Sequence, residues 1–173
     1  MLEMLYDVKD KVAVVTGSSR GIGKQCALAF AEAGAKLVLN YVSNKQAAEI
    51  TAEEIEGLGA EAIVVQADVK DFEACLALGE EAISKFGKID FLVNNAGINR
   101  DITFSRMSQE EWQEVIDTNL GALFNMSKAC VPHMRDNGFG SIVSISSIIG
   151  ETGNIGQSNY AATKSGMYGF TKS

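Results

Sequence analysis

Short apolar segments alternate with longer amphipathic segments along this chain, in an order that repeats several times. The short segments are apolar at successive positions rather than at every second one, which is typical of strands covered on both faces. The longer segments place their apolar residues at helical spacing. We therefore predict an α/β fold, with a doubly wound parallel sheet in a single domain spanning residues 1–173. The predicted strands are residues 11–16, 36–41, 61–67, 88–93 and 141–146.

A glycine-rich turn follows the first predicted strand and has the sequence Gly17-Ser-Ser-Arg-Gly-Ile-Gly23. Glycines at such a turn allow a tight bend and let a phosphate group approach the backbone closely. The free N–H groups and the dipole of the next helix favour an anion at the N-terminus of that helix. We therefore predict a dinucleotide-phosphate site. The spacing departs from the common G-x-G-x-x-G fingerprint, so a turn that binds no ligand is the alternative.

The second predicted strand ends without a carboxylate, in the sequence Leu39-Asn-Tyr-Val-Ser43. An acidic residue there would hydrogen-bond the ribose of NAD and would repel the 2′-phosphate of NADP. Arg20, in the glycine-rich turn, offers a cation for such a phosphate. The sequence therefore favours NADP(H) over NAD(H) as the cofactor.

Tyr160 and Lys164 are four residues apart, so on a helix they share one face. An ammonium beside a phenol lowers the pKa of the phenol, because the cation favours the phenolate. Such a pair can donate a proton near neutral pH. A Tyr-x-x-x-Lys pair by itself is more often an ordinary surface pair, so its interpretation depends on what surrounds it.

Glycines or polar residues stand at the ends of several predicted strands, and Ser147 follows the fifth strand. Ligands of open parallel sheets bind beyond the carboxyl ends of the strands. We therefore predict one crevice at this edge, with Tyr160 and Lys164 on the helix that follows Ser147. This coincidence favours a proton donor over a surface pair. The strand-end residues are Gly17, Asp68, Asn95 and Ser147.

Asn119 lies on the apolar face of a predicted helix that begins with a capping box of Ser108 and Glu111. A buried amide must be hydrogen-bonded, so Asn119 either forms a structural bond to a neighbouring strand or belongs to a polar site. The single histidine, His133, lies on a stretch that we interpret as solvent-exposed. Neither a nucleophile elbow nor a triad histidine for Ser-His-Asp hydrolysis is evident.

The charge and composition of the chain narrow the function classes further. A net charge of −7 argues against a generalised nucleic-acid-binding surface. The three cysteines are far apart and, with one histidine, form no zinc pattern, so we expect free thiols and no metal site. The N-terminus is acidic where a signal peptide would be basic, and no apolar run is long enough to span a membrane. We expect a soluble, cytoplasmic protein without a membrane partner.

The ordered set of motifs resembles the short-chain dehydrogenase/reductase family, which has a Rossmann-like fold. Within this family, the chain is most similar to 3-oxoacyl-[acyl-carrier-protein] reductases and acetoacetyl-CoA reductases. The resemblance implies an NADP-dependent oxidoreductase of fatty acid biosynthesis, which reduces a 3-oxoacyl thioester of acyl-carrier protein or CoA to the 3-hydroxyacyl thioester. The motifs are Thr16-Gly-Ser-Ser-Arg-Gly-Ile-Gly23, Asn94-Asn-Ala-Gly97, Asn119, Ser147 and Tyr160-x-x-x-Lys164.

The resemblance also implies a role for each motif residue. Tyr160 would protonate the carbonyl oxygen, while Lys164 would lower the pKa of Tyr160 and hold the nicotinamide ribose. Ser147 would donate a hydrogen bond to the same oxygen, and Asn119 would position a water that feeds protons to Lys164. The substrate-binding residues would be Ser147, Gln157 and Tyr160. The cofactor-binding residues would be Gly17, Ser19, Arg20, Ile22, Gly23, Asn40 near the 2′-phosphate, Asp68 and Val69 at the adenine, Asn95, Ala96, Gly97, Tyr160 and Lys164.

The last helix of the chain gives rise to two further expectations. Family members continue past this helix with more strands and a substrate-covering segment, so we expect either part of a longer enzyme or a truncated form. The resemblance implies a homotetramer in which such helices pair between subunits through small residues. The alternatives are a dehydrogenase for another alcohol or ketone, such as a sugar or steroid, and a non-catalytic nucleotide-binding fragment. The small residues are Ala161, Ala162, Ser165, Gly166 and Gly169.

Overall fold

Five parallel strands form one sheet in the computed structural model, which describes residues 8–173. The order across the sheet is β3-β2-β1-β4-β5, so the chain moves outward from β1 to β3 and then returns to the other side of β1. This reversal places a topological switch point between β1 and β4. The predicted doubly wound parallel sheet is therefore confirmed. The strands are β1 Val12–Val15, β2 Lys36–Tyr41, β3 Ala62–Gln66, β4 Phe91–Asn94 and β5 Ser141–Ser144.

Helices connect the strands and cover both faces of the sheet. Between β4 and β5, a 3₁₀ turn at Phe104–Arg106 precedes the fourth helix. A π-helical turn at Ile116–Gly121 joins that helix to the fifth without a break. The helices are α1 Gly21–Glu32, α2 Lys45–Gly57, α3 Phe72–Phe86, α4 Gln109–Val115, α5 Ala122–Asp136, α6 Ile149–Thr152 and α7 Ser158–Lys172.

The central strand β1 explains the continuous apolar pattern of its sequence. Val12 and Val14 point into a core formed with α3 and α5, whereas Ala13 and Val15 point into a second core formed with α1 and α2. All four side chains are completely buried. A strand covered on both faces needs apolar residues at every position, so alternation would not be expected here.

The structure differs from the predicted elements in several places, including the end of β5, which is Ser144 rather than residue 146. Strand β4 begins at Phe91 rather than at residue 88, and the residue just before it, Asp90, has a buried carboxylate. Asp90 accepts a hydrogen bond from the Val12 N–H (2.8 Å) and pairs with the ammonium groups of Lys11 and Lys88. The π-helical turn and the short helix α6 were not predicted. The capping box at the start of α4 is confirmed, with both of its reciprocal hydrogen bonds present.

Other expectations concern residues away from the sheet edge. Burial raises the pKa of the Cys75 and Cys130 thiols to about 12, so both thiols are unreactive near neutral pH. His133 lies within α5 on the exposed stretch that the sequence predicts. Its side chain is half-buried, and its Nε2 is 3.5 Å from a carboxylate oxygen of the exposed Glu80. A Cβ atom on Gly166 would lie 3.1 Å from the Leu120 side chain, so one side of this glycine packs within the chain. The pairing of small residues of α7 with a partner stays a prediction.

No helix within residues 8–173 is long and apolar enough to cross a membrane. The same part of the chain contains no group of histidine, cysteine or acidic side chains suited to a metal ion. The expectation about the N-terminal sequence rests largely on residues 1–7, which lie outside the described residues.

Candidate active site

A cleft of about 660 Å³ lies at the C-terminal edge of the sheet, beside the switch point between β1 and β4. Residues that follow β1, β2, β3 and β4 line it together, as expected for parallel strands whose carboxyl ends share one edge. Most of the predicted cofactor-binding residues are among them. These are Gly17, Ser19, Arg20, Ile22, Asp68, Val69, Asn95, Ala96 and Gly97.

The glycine-rich turn has a conformation and a packing that require glycine. Gly17 and Gly21 have φ angles of +61° and +58°, in the left-handed region that favours this residue. A Cβ atom on Gly23 would lie 2.5 Å from both the Asn95 Nδ2 and the Gly17 carbonyl oxygen. Asn95 in turn donates to the carbonyl oxygens of Thr16 (2.9 Å) and Gly17 (3.2 Å). The turn is therefore held close to the residues that follow β4.

The N-terminus of α1 opens into this cleft without a side-chain cap. Arg20 precedes the helix, and no side chain accepts a hydrogen bond from the first turn. The first N–H groups of an α-helix have no partner within the helix, so they are available to an anion. Within residues 8–173, the exposed Arg20 side chain forms no ion pair. The glycine-rich turn and the uncapped helix together fit the pyrophosphate of a dinucleotide, and Arg20 leaves an exposed cation beside them for a further phosphate.

Asn40, which the resemblance places near a 2′-phosphate, does not line the cleft. Its side chain is completely buried, and its Oδ1 accepts a hydrogen bond from the Gly17 N–H (3.2 Å). Its Nδ2 donates to the Ala67 carbonyl oxygen (2.9 Å), and its backbone N–H donates to the Ser18 hydroxyl (3.0 Å). A side chain committed to these internal bonds cannot also reach a ligand in the cleft. Through these hydrogen bonds, Asn40 instead connects the glycine-rich turn to the residue that follows β3.

Tyr160 and Lys164 share one face of α7, as predicted. The Lys164 ammonium lies 5.4 Å from the centroid of the Tyr160 ring and donates a hydrogen bond to the Ile145 carbonyl oxygen (2.6 Å). Lys164 is only 4% exposed, and this burial lowers the pKa of its ammonium. No residue in the described part of the chain is hydrogen-bonded to the Tyr160 hydroxyl. The phenol is therefore free to donate to a ligand.

Ser147 lies between β5 and α6, on the segment that faces α7. Its Oγ accepts a hydrogen bond from the Ile149 N–H (3.2 Å), so the hydroxyl hydrogen remains available to a ligand. Its carbonyl oxygen accepts from the Tyr168 hydroxyl (3.1 Å) and from the Gly150 N–H (2.9 Å). Ser147, next to α7, and Tyr160, on α7, thus each offer an O–H group to a ligand.

Asn119 connects the residues after β4 to the helix that carries Tyr160. Its Nδ2 donates to the Ile98 carbonyl oxygen (2.9 Å) and to the Thr163 hydroxyl (3.2 Å), while its Oδ1 accepts from the Ile98 N–H (2.8 Å). It lies in the π-helical turn, a distortion that is frequent at functional sites. Of the two alternatives for this buried amide, the structural bond is present, although it joins a loop and a helix rather than a strand.

Gln157 belongs to a polar network outside the cleft. Its Nε2 donates to a carboxylate oxygen of Asp101 (3.0 Å), and its Oε1 accepts from the Asn154 side chain (2.9 Å). These hydrogen bonds join the loop that follows β4 to the loop that precedes α7. Asn159, which is completely buried, adds to this connection by donating its Nδ2 hydrogen to the Arg100 carbonyl oxygen (3.1 Å).

The sequence profile of the short chain dehydrogenase family matches residues 11–173. This chain belongs to that family. The chain is 47% identical over 163 residues to the 3-oxoacyl-[acyl-carrier-protein] reductase FabG of Staphylococcus aureus, covering 94% of this chain and 66% of the relative. It is 48% identical over 162 residues to the 3-oxoacyl-[acyl-carrier-protein] reductase of Synechocystis, with the same two coverages. The family resemblance inferred from the sequence is confirmed.

A solved structure from Sinorhizobium meliloti, described as a short-chain alcohol dehydrogenase, matches the fold of this chain with a TM-score of 0.92. The identity is 34%, and the match covers 95% of this chain and 65% of the other. The chain thus spans slightly less than two thirds of the length of the proteins that it matches.

This short-chain dehydrogenase also lines its cleft with residues that the sequence did not single out. Most of them lie at the end of a predicted strand or within five residues after it, so extending the strand-end rule by a few positions would have found them. Glu114 and Thr118 come from α4 and the π-helical turn, where nothing in the sequence marks the face that meets the cleft. The additional residues are Gly21, Tyr41, Val42, Ser43, Asn44, Lys70, Ile98, Glu114 and Thr118.

Proposed function

We propose that this short-chain dehydrogenase catalyses the NADPH-dependent reduction of a 3-oxoacyl thioester, carried on acyl-carrier protein or CoA, to the 3-hydroxyacyl thioester. The observation that carries the proposal is the free Tyr160 hydroxyl next to the buried Lys164 ammonium, on a helix joined by Asn119 to the wall of the cleft. The names of the Staphylococcus aureus and Synechocystis relatives support the thioester as substrate.

The cleft supplies the groups that a dinucleotide needs. The glycine-rich turn and the N-terminus of α1 would hold the phosphates, and Asp68 and Val69 would contact the adenine. Asn95, Ala96 and Gly97 would flank the adenosine ribose, and Lys164 would hold the nicotinamide ribose. When bound, the reduced nicotinamide supplies the two electrons and the hydrogen that the carbonyl carbon gains.

Tyr160 and Ser147 would act on the carbonyl oxygen of the substrate. The Tyr160 Oη would donate its proton to this oxygen as negative charge develops on it. The Ser147 Oγ accepts a bond from the Ile149 N–H, which leaves its hydrogen free, so the Oγ–H would donate a hydrogen bond to the same oxygen. The ammonium of Lys164 would stabilise the phenolate that Tyr160 leaves behind.

Asn119 would hold a water near Lys164, and Gln157 would bind the substrate. Both Nδ2 hydrogens of Asn119 are engaged by Ile98 and Thr163, so a water held for Lys164 would bond to an oxygen of Asn119, either its Oδ1 or its backbone carbonyl oxygen. Gln157 has one Nε2 hydrogen beyond its bond to Asp101 and would offer it to the thioester substrate. The proposal includes a homotetramer that pairs through the exposed side of α7, and light scattering by the purified protein tests that part.

The substrate assignment is tested by following NADPH oxidation with acetoacetyl-CoA, a ketosteroid and a ketose under the same conditions. We expect the highest kcat/KM for the thioester. A higher value for one of the other ketones would favour the broader alcohol dehydrogenase activity that the Sinorhizobium meliloti neighbour's description suggests. Tight NADPH binding with no turnover of any ketone would contradict the enzymatic proposal and favour a nucleotide-binding protein.

The choice of NADPH is tested at Arg20, the cation at the start of α1. We expect Arg20→Ala to weaken NADPH binding by about 10- to 100-fold, as for the loss of a charge-assisted hydrogen bond to a phosphate. NADH lacks the 2′-phosphate, so its affinity should change little. Fluorescence titration with both nucleotides measures the difference.

Lys24→Ala is the matched control for Arg20→Ala. Lys24 lies on the same helix, but its ammonium pairs with Glu54 (2.7 Å) and does not line the cleft. This variant should leave both affinities near those of the unmodified protein. An equal loss of NADPH and NADH binding in Arg20→Ala would contradict a role for Arg20 at the 2′-phosphate.

A further inference from the structure

Three consecutive residues after β5 are each hydrogen-bonded to α7. The Ile145 carbonyl oxygen accepts from the Lys164 ammonium (2.6 Å), and the Ser146 hydroxyl donates to the Lys164 carbonyl oxygen (2.8 Å). The Ser147 carbonyl oxygen accepts from the Tyr168 hydroxyl (3.1 Å). The first two bonds involve a residue of the proposed catalytic machinery. The third involves Tyr168, which the proposed mechanism does not use.

The bond from Tyr168 differs from the other hydrogen bonds of Ser147. Gly150 donates to the Ser147 carbonyl oxygen, and Ile149 donates to its hydroxyl oxygen, but both donors belong to the same turn as Ser147. Such local bonds shape the turn without fixing its position against the rest of the protein. Within residues 8–173, Tyr168 is the only hydrogen-bond partner of Ser147 that comes from another part of the fold.

Tyr168 lies four residues after Lys164 on the same helix, and its side chain is half-buried. A bond from this helix to the Ser147 peptide therefore fixes Ser147 relative to the element that also carries Tyr160. Two groups that must meet one substrate oxygen benefit from a shared support, because small displacements of reacting groups lower rates strongly.

We infer that Tyr168 is a positioning residue, which holds the Ser147 hydroxyl at the distance from Tyr160 that the carbonyl reduction requires. This inference rests on the proposed function, since it assigns Tyr168 an effect only through Ser147. Tyr168 does not line the dinucleotide cleft, and the proposed mechanism gives it no contact with the substrate. Removal of its hydroxyl should loosen Ser147 while leaving the dinucleotide cleft intact.

The test is a double-mutant cycle of Ser147→Ala and Tyr168→Phe in the full-length protein, with acetoacetyl-CoA as substrate. Phenylalanine retains the ring and removes only the hydroxyl, so the fold should be preserved. We expect Tyr168→Phe to lower kcat by about 5- to 10-fold, as for the loss of one neutral hydrogen bond, with an unchanged KM for NADPH. In the Ser147→Ala background, Tyr168→Phe should have no further effect on kcat.

Thr171→Val serves as the matched control, because it removes an exposed hydroxyl from the same helix. This variant should retain the kcat of the unmodified protein, and thermal unfolding of all variants would report any general loss of stability. An unchanged kcat in Tyr168→Phe, or an equal decrease with and without Ser147, would overturn the inference for Tyr168 alone. An unchanged kcat in Ser147→Ala would overturn the proposed role of Ser147 and the inference with it.

Discussion

Replacement of Tyr160 by phenylalanine is expected to lower the kcat of carbonyl reduction by about 10²- to 10⁴-fold, the usual contribution of a general acid. The phenol is the proton donor of the proposed mechanism, and no group in the described structure is bonded to its hydroxyl. The ring should keep its place beside Lys164, because the substitution removes a single oxygen atom. Initial rates of NADPH oxidation with acetoacetyl-CoA measure the effect.

The affinity for NADPH separates lost chemistry from lost structure in this variant. Tyr160 does not line the cleft that fits the dinucleotide phosphates, so Tyr160→Phe should bind NADPH nearly as tightly as the unmodified protein. Thr171→Val, on the same helix, should retain the full rate. If Tyr160→Phe kept more than about a tenth of the activity, Tyr160 could not be the general acid.

The cleft could be predicted from the sequence because its position follows from the sheet. Continuous apolar segments indicate parallel strands, and the carboxyl ends of parallel strands share one edge. This rule predicts one crevice for Gly17, Asp68, Asn95 and Ser147. The structure places the first three in the lining of the cleft, whereas Ser147 lies outside that lining, beside α7. The glycine-rich turn also predicts an anion site at the N-terminus of α1. That prediction is possible because its signal lies in adjacent residues of the sequence.

The hydrogen bonds that support the site could not be predicted in the same way. Asn40 lies at the end of β2, where the sequence rule places a ligand contact, but its side chain turns inward to the Gly17 N–H and the Ala67 carbonyl oxygen. The bond between Tyr168 and Ser147 likewise joins residues whose relation depends on how α7 packs. A rule based on strand ends identifies the edge of the sheet but not the direction of a side chain.

Asn119 shows how the two halves of the site depend on each other. Its carboxamide binds both backbone groups of Ile98, which lines the cleft, and the hydroxyl of Thr163, which precedes Lys164. A Cβ on Gly97 would lie 3.0 Å from the Asn119 Oδ1, so the loop after β4 packs closely against this amide. The sequence indicated that Asn119 was buried and bonded, but only the tertiary structure reveals that its bonds link the cleft to the helix of Tyr160.

Replacement of Lys164 by methionine should lower kcat by about 10²- to 10³-fold, the usual cost of losing one electrostatic stabiliser of the transition state. Methionine has a similar length and flexibility but no charge, so it cannot stabilise the Tyr160 phenolate. Lys172→Met removes an exposed ammonium from the same helix and should leave the rate unchanged. A Lys164→Met variant with the full rate would contradict the proposed role of the ammonium.

The same substitution should change how stability depends on pH. Burial lowers the pKa of Lys164 below its ordinary value of 10.5, so between the lowered pKa and 10.5 the folded state binds fewer protons than the unfolded state. Stability relative to Lys164→Met should therefore rise as the pH increases through this window. The rise should be about 1.4 kcal/mol for each unit by which the pKa is lowered. Over the same window kcat should fall, because the ammonium is lost. Denaturant unfolding of the unmodified protein and of Lys164→Met at a series of pH values measures the difference in their free energies of unfolding. A difference that is constant or falls with pH would show that the ammonium is not desolvated in the folded protein.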